Sequence, residues 1–128
     1  MVGIVIVSHS QKVAEGVVEL CKQMAPEVPI AAAGGLPEGE IGTDFQQIYE
    51  AVEAVASPDG VAIFFDMGSA LMTTEMVMEQ FEGITIKLSD APIVEGAIAA
   101  AVTASVGMDL DAVLEEAHQA VVLPKLQT

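Results

Sequence analysis

Gly3-Ile4-Val5-Ile6-Val7-Ser8-His9-Ser10 is the stretch that decides the fold of this chain. From Val2 to Val7 the sequence is apolar and rich in β-branched residues, with no polar alternation. That is the pattern of a strand covered on both faces. The run then turns abruptly polar at Ser8, His9 and Ser10 and gives way to a helical period. Val13, Val17, Leu20, Cys21 and Met24 form one apolar stripe, with Glu15, Glu19, Lys22 and Gln23 outside it.

Outward from this unit the pattern repeats. Val28 to Ala33 reads as a second strand, closed by Gly34-Gly35 and a loop holding Pro37, Gly39 and Gly42. Thr43 is placed to cap a second helix whose inner face is Phe45, Ile48, Val52 and Val55. Ser57-Pro58-Asp59-Gly60 is a turn, and Val61 to Phe65 is a third buried strand. Asp66-Met67-Gly68-Ser69 leads into a helix running to about Phe81, which Gly83 ends. Ile84 to Leu88 is a fourth strand, followed by an Ala-rich helix and a last helix striped by Leu110, Val113, Leu114 and Ala117. Strands alternating with helices predict an α/β fold: a mostly parallel open sheet with helices on both faces and right-handed crossovers, as one domain over residues 1–128.

Composition excludes several function classes. The chain carries 19 acidic residues against four lysines, a net charge of −15, and no arginine. Binding to nucleic acid or to an anionic membrane needs clustered positive charge, so neither partner is expected. No apolar run is long enough to span a bilayer, and the N-terminus lacks the basic region of a signal peptide. A cytoplasmic location is the expectation. Cys21 is the one cysteine and reads as a small core residue. The acidic residues read as solvated helix faces, so no metal and no cofactor are expected. The methionines Met67, Met72, Met76 and Met78 read by default as core filling.

In open α/β sheets ligands bind beyond the carboxyl ends of the strands. The residues there are Ser8-His9-Ser10, Gly34-Gly35, Asp66-Met67-Gly68-Ser69 and Ser89-Asp90. Among them His9 is the natural nucleophile. The partial positive charge at the start of the first helix favours a neutral ring, which can attack phosphorus, and then favours the anion that results. Asp66, at the end of a neighbouring strand, is placed to hold one ring nitrogen and leave the other to react. With arginine absent, Ser10, Thr43 and Ser69 and the backbone of Gly34, Gly35 and Gly68 are the candidate phosphate ligands. His118, in the last helix, reads as a solvated histidine.

Gly3 to Ser10, with Gly42-Thr43-Asp44, Asp66 to Leu71 and Ala91-Pro92-Ile93-Val94-Glu95-Gly96-Ala97, resembles the mannose-type enzyme IIA family of the bacterial phosphotransferase system. The resemblance is closest to the branch serving phosphoenolpyruvate-dependent dihydroxyacetone kinases. It implies sheet order 2-1-3-4, phosphorylation of His9 with Asp66 orienting it, and a homodimer. It implies the phosphocarrier HPr as donor and, as acceptor, ADP bound in the kinase subunit DhaL, which works with DhaK. Some relatives add HPr-like and enzyme I-like domains. The chain stops at Thr128 without them, so separate HPr is the expected donor.

Other readings compete. A sugar-transport enzyme IIA would keep His9 but hand its phosphate elsewhere. A histidine phosphatase would need arginines around the phosphate. A receiver domain would use Asp66 as the acceptor and want acidic residues where His9 stands. A non-catalytic binding module would leave His9 unmodified.

Overall fold

β1 (Gly3–Ser8) is buried along its whole length, because a neighbouring strand lies on each side and a helical layer on each face. The computed structural model describes residues 1–126. Along them follow α1 (Gln11–Met24), β2 (Ile30–Gly34), α2 (Phe45–Val55), β3 (Val61–Phe65), a 3₁₀ turn (Gly68–Ala70), α3 (Leu71–Met78), β4 (Ile86–Ser89), α4 (Ile93–Ser105) and α5 (Leu110–Gln119). The strands form one parallel sheet in the order β2-β1-β3-β4, as expected.

Alternation along β1 divides the core. Ile4 and Ile6 face a cluster supplied by α1, α4 and α5, while Val5 and Val7 face a cluster supplied by α2 and α3. On the first side the small residues Ala97, Ala100, Ala101 and Ala104 of α4 are all fully buried, which lets α4 lie close to its neighbours. Cys21 is buried there too, and burial pushes its thiol up to about 11, so it behaves as an apolar core residue.

Three local expectations need correction. The inner face of α1 is Ala14, Val17, Val18 and Cys21, whereas Val13, Leu20 and Met24 are exposed. The reason lies at the end of β2. Gly34 packs so tightly on α1 that an added Cβ would sit 2.7 Å from the Ala14 Cβ, so the small Ala14 must face inward. Similarly, the inner face of α3 continues from Ala70 through Thr74 to Val77, and the Thr74 hydroxyl is satisfied by donating to the Ala70 carbonyl at 2.8 Å. This turns Met67, Met72 and Met76 to the surface, and only Met78 is partly buried. Lastly, Asp44 rather than Thr43 caps α2, accepting from the Gln47 amide at 3.0 Å. A carboxylate serves the cap and the helix dipole together, which a hydroxyl does not.

The boundaries shift by small amounts. Val28 is held in a turn by the hydrogen bond its amide donates to the Ala25 carbonyl, so β2 starts at Ile30. β4 starts at Ile86, where pairing with Val61 begins. After Met78, turn bonds from Gln80 and Phe81 replace the helical pattern, so α3 stops short of Phe81. No described helix is long and apolar enough to cross a membrane.

Candidate functional site

The chain leaves β1 for β2 on one side and reaches β3 on the other. The carboxyl ends of β1 and β3 are therefore the point where the strand order reverses, the usual place for a crevice in such sheets. Ser8 and His9 stand at the end of β1, and Asp66 follows β3. The pairing of Val7 with Phe65 brings these ends level.

Asp66 organises the site. Its Oδ2 accepts from the Ser8 hydroxyl at 2.8 Å and from the His9 amide at 3.0 Å. Its Oδ1 meets His9 Nδ1 at 3.0 Å and accepts from the Met67 amide at 2.8 Å. Four partners saturate a carboxylate's lone pairs. Partial burial pushes the Asp66 carboxyl up, but the hydrogen bonds from the His9 amide, the His9 ring and Ser8, with the attraction of His9, outweigh it. Its pKa lies below the ordinary aspartate value. The ionised carboxylate only accepts, so in the neutral ring the proton sits on Nδ1 and the lone pair on Nε2. Ser69 Oγ lies 2.8 Å from Nε2 and donates to it. The His9 side chain is 15% exposed and that of Asp66 19%, so the ring is largely covered.

Ser8 was not among the expected site residues, and it is fully buried. Its hydroxyl donates to Asp66 and accepts from the Ser10 amide at 3.0 Å, tying the carboxylate to the start of α1. Ser10 caps α1 through the Val13 amide. The only signal for Ser8 in the sequence is its position as the last strand residue, a polar side chain ending an apolar run.

The other expected residues gather at the same edge with different roles. Gly34 makes the close approach to α1, where an added Cβ would come within 2.6 Å of the Ser10 carbonyl oxygen. Gly35, with φ of +70°, turns the chain out of β2 and gives its amide to the Ser8 carbonyl at 3.1 Å. Thr43 is brought alongside by the Gly42 amide, which donates to the His9 carbonyl at 2.9 Å. Gly68 and Ser69 open the 3₁₀ turn, and their amides have no partner within it. His118 lies apart and exposed, with Nδ1 3.8 Å from Asp90.

Known proteins bear on this arrangement. The chain is 43% identical over 127 residues to a phosphoenolpyruvate-dependent dihydroxyacetone kinase phosphoryl donor subunit, DhaM, of Escherichia coli, covering 94% of this chain but 27% of that protein. A Listeria innocua DhaM is 47% identical over 107 residues, covering 84% of this chain and 83% of the relative. A solved structure of a protein described as of unknown function superposes with a TM-score of 0.79 at 34% identity, covering 93% of this chain and 95% of that one. The chain thus spans about a quarter of the length of some relatives and most of the length of others. The model of the EIIA-man family, described as the PTS system fructose IIA component, matches residues 3–114, from the start of β1 into α5, and takes in both His9 and Asp66. The chain belongs to this mannose-type enzyme IIA family.

Proposed function

We propose that residues 1–128 form a phosphoryl-carrier domain working through Nε2 of His9. It accepts phosphate from phosphorylated HPr and passes it to ADP bound in DhaL, in support of dihydroxyacetone phosphorylation with DhaK. The observation that carries this reading is the orientation of the ring. Asp66 holds Nδ1, and Nε2 presents a lone pair beside a hydroxyl and the amides that open a helical turn. The similarity to phosphoryl donor subunits of phosphoenolpyruvate-dependent dihydroxyacetone kinases supports a kinase as the acceptor system.

The Nε2 lone pair attacks phosphorus, the donor's nitrogen–phosphorus bond breaks, and its electron pair returns to the donor. The new phosphohistidine keeps its proton on Nδ1 and carries positive charge in the ring, which the Asp66 carboxylate offsets. Ser69 turns its hydroxyl from Nε2 to a phosphoryl oxygen, joined by the amides of Gly68 and Ser69 and the hydroxyls of Ser10 and Thr43. Gly34 and Gly35 give the site its shape. On discharge an ADP oxygen attacks phosphorus and the bonding pair returns to Nε2. With neutral donors and no arginine, the phosphate is held only moderately, as a relay requires. Asp66 is committed to four partners, which argues against an acceptor role for it. The cytoplasm, where HPr resides, and a homodimer complete the proposal.

The test is incubation with phosphoenolpyruvate, enzyme I and HPr, followed by assay for acid-labile, base-stable phosphate. Wild type is expected to label and then to lose its label on addition of DhaL with ADP, and His9→Ala to remain unlabelled. An unlabelled wild type, or a labelled His9→Ala, would sink the proposal. Label retained in the presence of DhaL with ADP would favour a sugar-transport role.

A further inference from the structure

Lys12 is the residue whose placement the fold does not explain. It is the second residue of α1, where the helix dipole favours an acid and disfavours a cation. In α4 and α5 the first turn does carry an acid, Glu95 and Asp111. In a chain with 19 acidic residues and four lysines, a lysine in the first turn of α1 works against the helix. Lys12 also gains nothing from a neighbour. Lys87 pairs with Asp111 and Lys125 with Glu95, whereas Lys12 and Lys22 have no ion-pair partner among the described residues. Glu15, the acid one turn away, accepts from Gln11 at 3.1 Å, and the next position on that face is Gly16, which has no side chain.

Its surroundings give the reason. Helix side chains lean toward the N-terminus, so the Lys12 stem is directed at the carboxyl edge of the sheet, where His9 stands. There Lys12 lines an open cleft of about 470 Å³ with Ser10, Gln11, Glu15, Gly39 and Ile41. The loop forming the far wall abuts His9, since the Gly42 amide donates to the His9 carbonyl. The cleft reaches the residue after the histidine, Ser10, on the β2 side, whereas Ser69 meets the ring itself on the β3 side. The ring's own partners are the neutral Ser69 and the negative Asp66.

We propose that Lys12 is the recognition cation of the relay, receiving the phosphate-bearing surface of each partner as it approaches His9. The inference rests on the function proposed above. Every productive partner brings a phosphoryl group or a nucleotide diphosphate, each strongly anionic, toward a chain of net charge −15. A single unpaired cation at the mouth lowers that repulsion and fixes the direction of approach. Because it lines the neighbouring cleft and makes no contact with the His9 ring, it acts on encounter and orientation more than on the chemical step.

The experiment compares Lys12→Gln, Lys12→Glu and Lys12→Arg with Lys22→Gln. The last removes the same charge from the other end of the same helix. Phosphorylation of His9 by HPr, kept phosphorylated by enzyme I and phosphoenolpyruvate, is followed at low and high salt. If the ammonium reaches within about 8 Å of the incoming dianion, their attraction in water corresponds to about a five-fold loss of kcat/KM for Lys12→Gln. The loss should appear mainly in KM, be larger for Lys12→Glu and be restored by Lys12→Arg. It should shrink toward 1 M salt, where screening acts over about 3 Å. Lys22→Gln should match wild type, and the final extent of labelling should be unchanged in all four. Equal loss in Lys22→Gln, or none in Lys12→Gln, overturns the proposal. A wild type that takes no label overturns the His9 reading instead.

Discussion

The two edges of the sheet hold contacts of nearly the same length and opposite consequence. At the carboxyl edge, Asp66 meets Ser8, His9 and Met67 at 2.8 to 3.0 Å. At the amino edge the N-terminal amine meets Asp59 at 2.7 Å, and Lys87 meets Asp111 at 2.8 Å. The amino edge also has a hollow of about 430 Å³, lined by Met1, Asp59, Lys87 and Asp111 among others. Yet its charges pair one to one in water, with the side chains of Lys87 and Asp111 47% and 79% exposed. The carboxyl edge instead gathers four hydrogen bonds on one covered carboxylate and leaves the second ring nitrogen with a single hydroxyl that can turn away. Cover and convergence distinguish a site from a surface, while contact length and cavity size do not.

The largest effect that would test this contrast is expected from Asp66→Asn. An amide has one acceptor where four donors converge, and its NH₂ facing the ring would donate to Nδ1 and move the ring proton to Nε2. Phosphoryl transfer should slow by about 100-fold while the domain stays folded. Stability should respond with a definite sign. The native carboxyl has a lowered pKa, so the unfolded chain binds more protons as pH falls, and wild type loses stability through and below about pH 4. Urea denaturation should therefore show wild type well ahead of Asp66→Asn at pH 7, with the gap narrowing at pH 3. Parallel curves, or an unchanged transfer rate, would remove Asp66 from the centre of the site.

A smaller effect is expected from Gly34→Ala, which probes how the edge is built. The added carbon would lie 2.6 Å from the Ser10 carbonyl oxygen and 2.9 Å from the Gln11 Cα. These are backbone atoms at the start of α1, so relief means moving the helix end. A loss of about 1–3 kcal/mol is expected in thermal melting, with slower labelling of His9 as Ser10 shifts. An unchanged Tm would mean that β2 and α1 are not as rigidly seated as their spacing implies.

How far the sequence reveals this edge depends on the kind of interaction. The His9–Asp66 pair follows from strand ends and residue chemistry, and the same reasoning brings Ser69 to this edge as a phosphate ligand, though not to the ring itself; the strand order 2-1-3-4 comes from the family resemblance. The inner face of α1 is misread because apolar size suggests Val13 and Leu20, while a glycine twenty residues downstream selects Ala14. The methionines are misread for a related reason: Thr74 is an unpromising core residue until its hydroxyl finds the Ala70 carbonyl one turn back. Ser8 is overlooked because its role exists only once β1 and β3 lie side by side. The misses at α1 and Ser8 are long-range contacts overriding a local preference, whereas that at Thr74 is a side-chain bond to the backbone within a single turn.

The smallest effect belongs to the amino edge, and there a null result carries the information. A double-mutant cycle on Lys87→Ala and Asp111→Ala isolates their coupling from the separate contribution of Asp111 to the first turn of α5. With both side chains largely in water, desolvation is slight, but two flexible side chains must be ordered to hold one geometry. The expected coupling is about 0.2–0.5 kcal/mol, vanishing in 1 M salt, with His9 labelling unaffected. A coupling above about 1.5 kcal/mol that survived salt would break the contrast between the edges. It would mean that an exposed pair at 2.8 Å is held as firmly as the covered cluster around Asp66, and that cover is not what separates them.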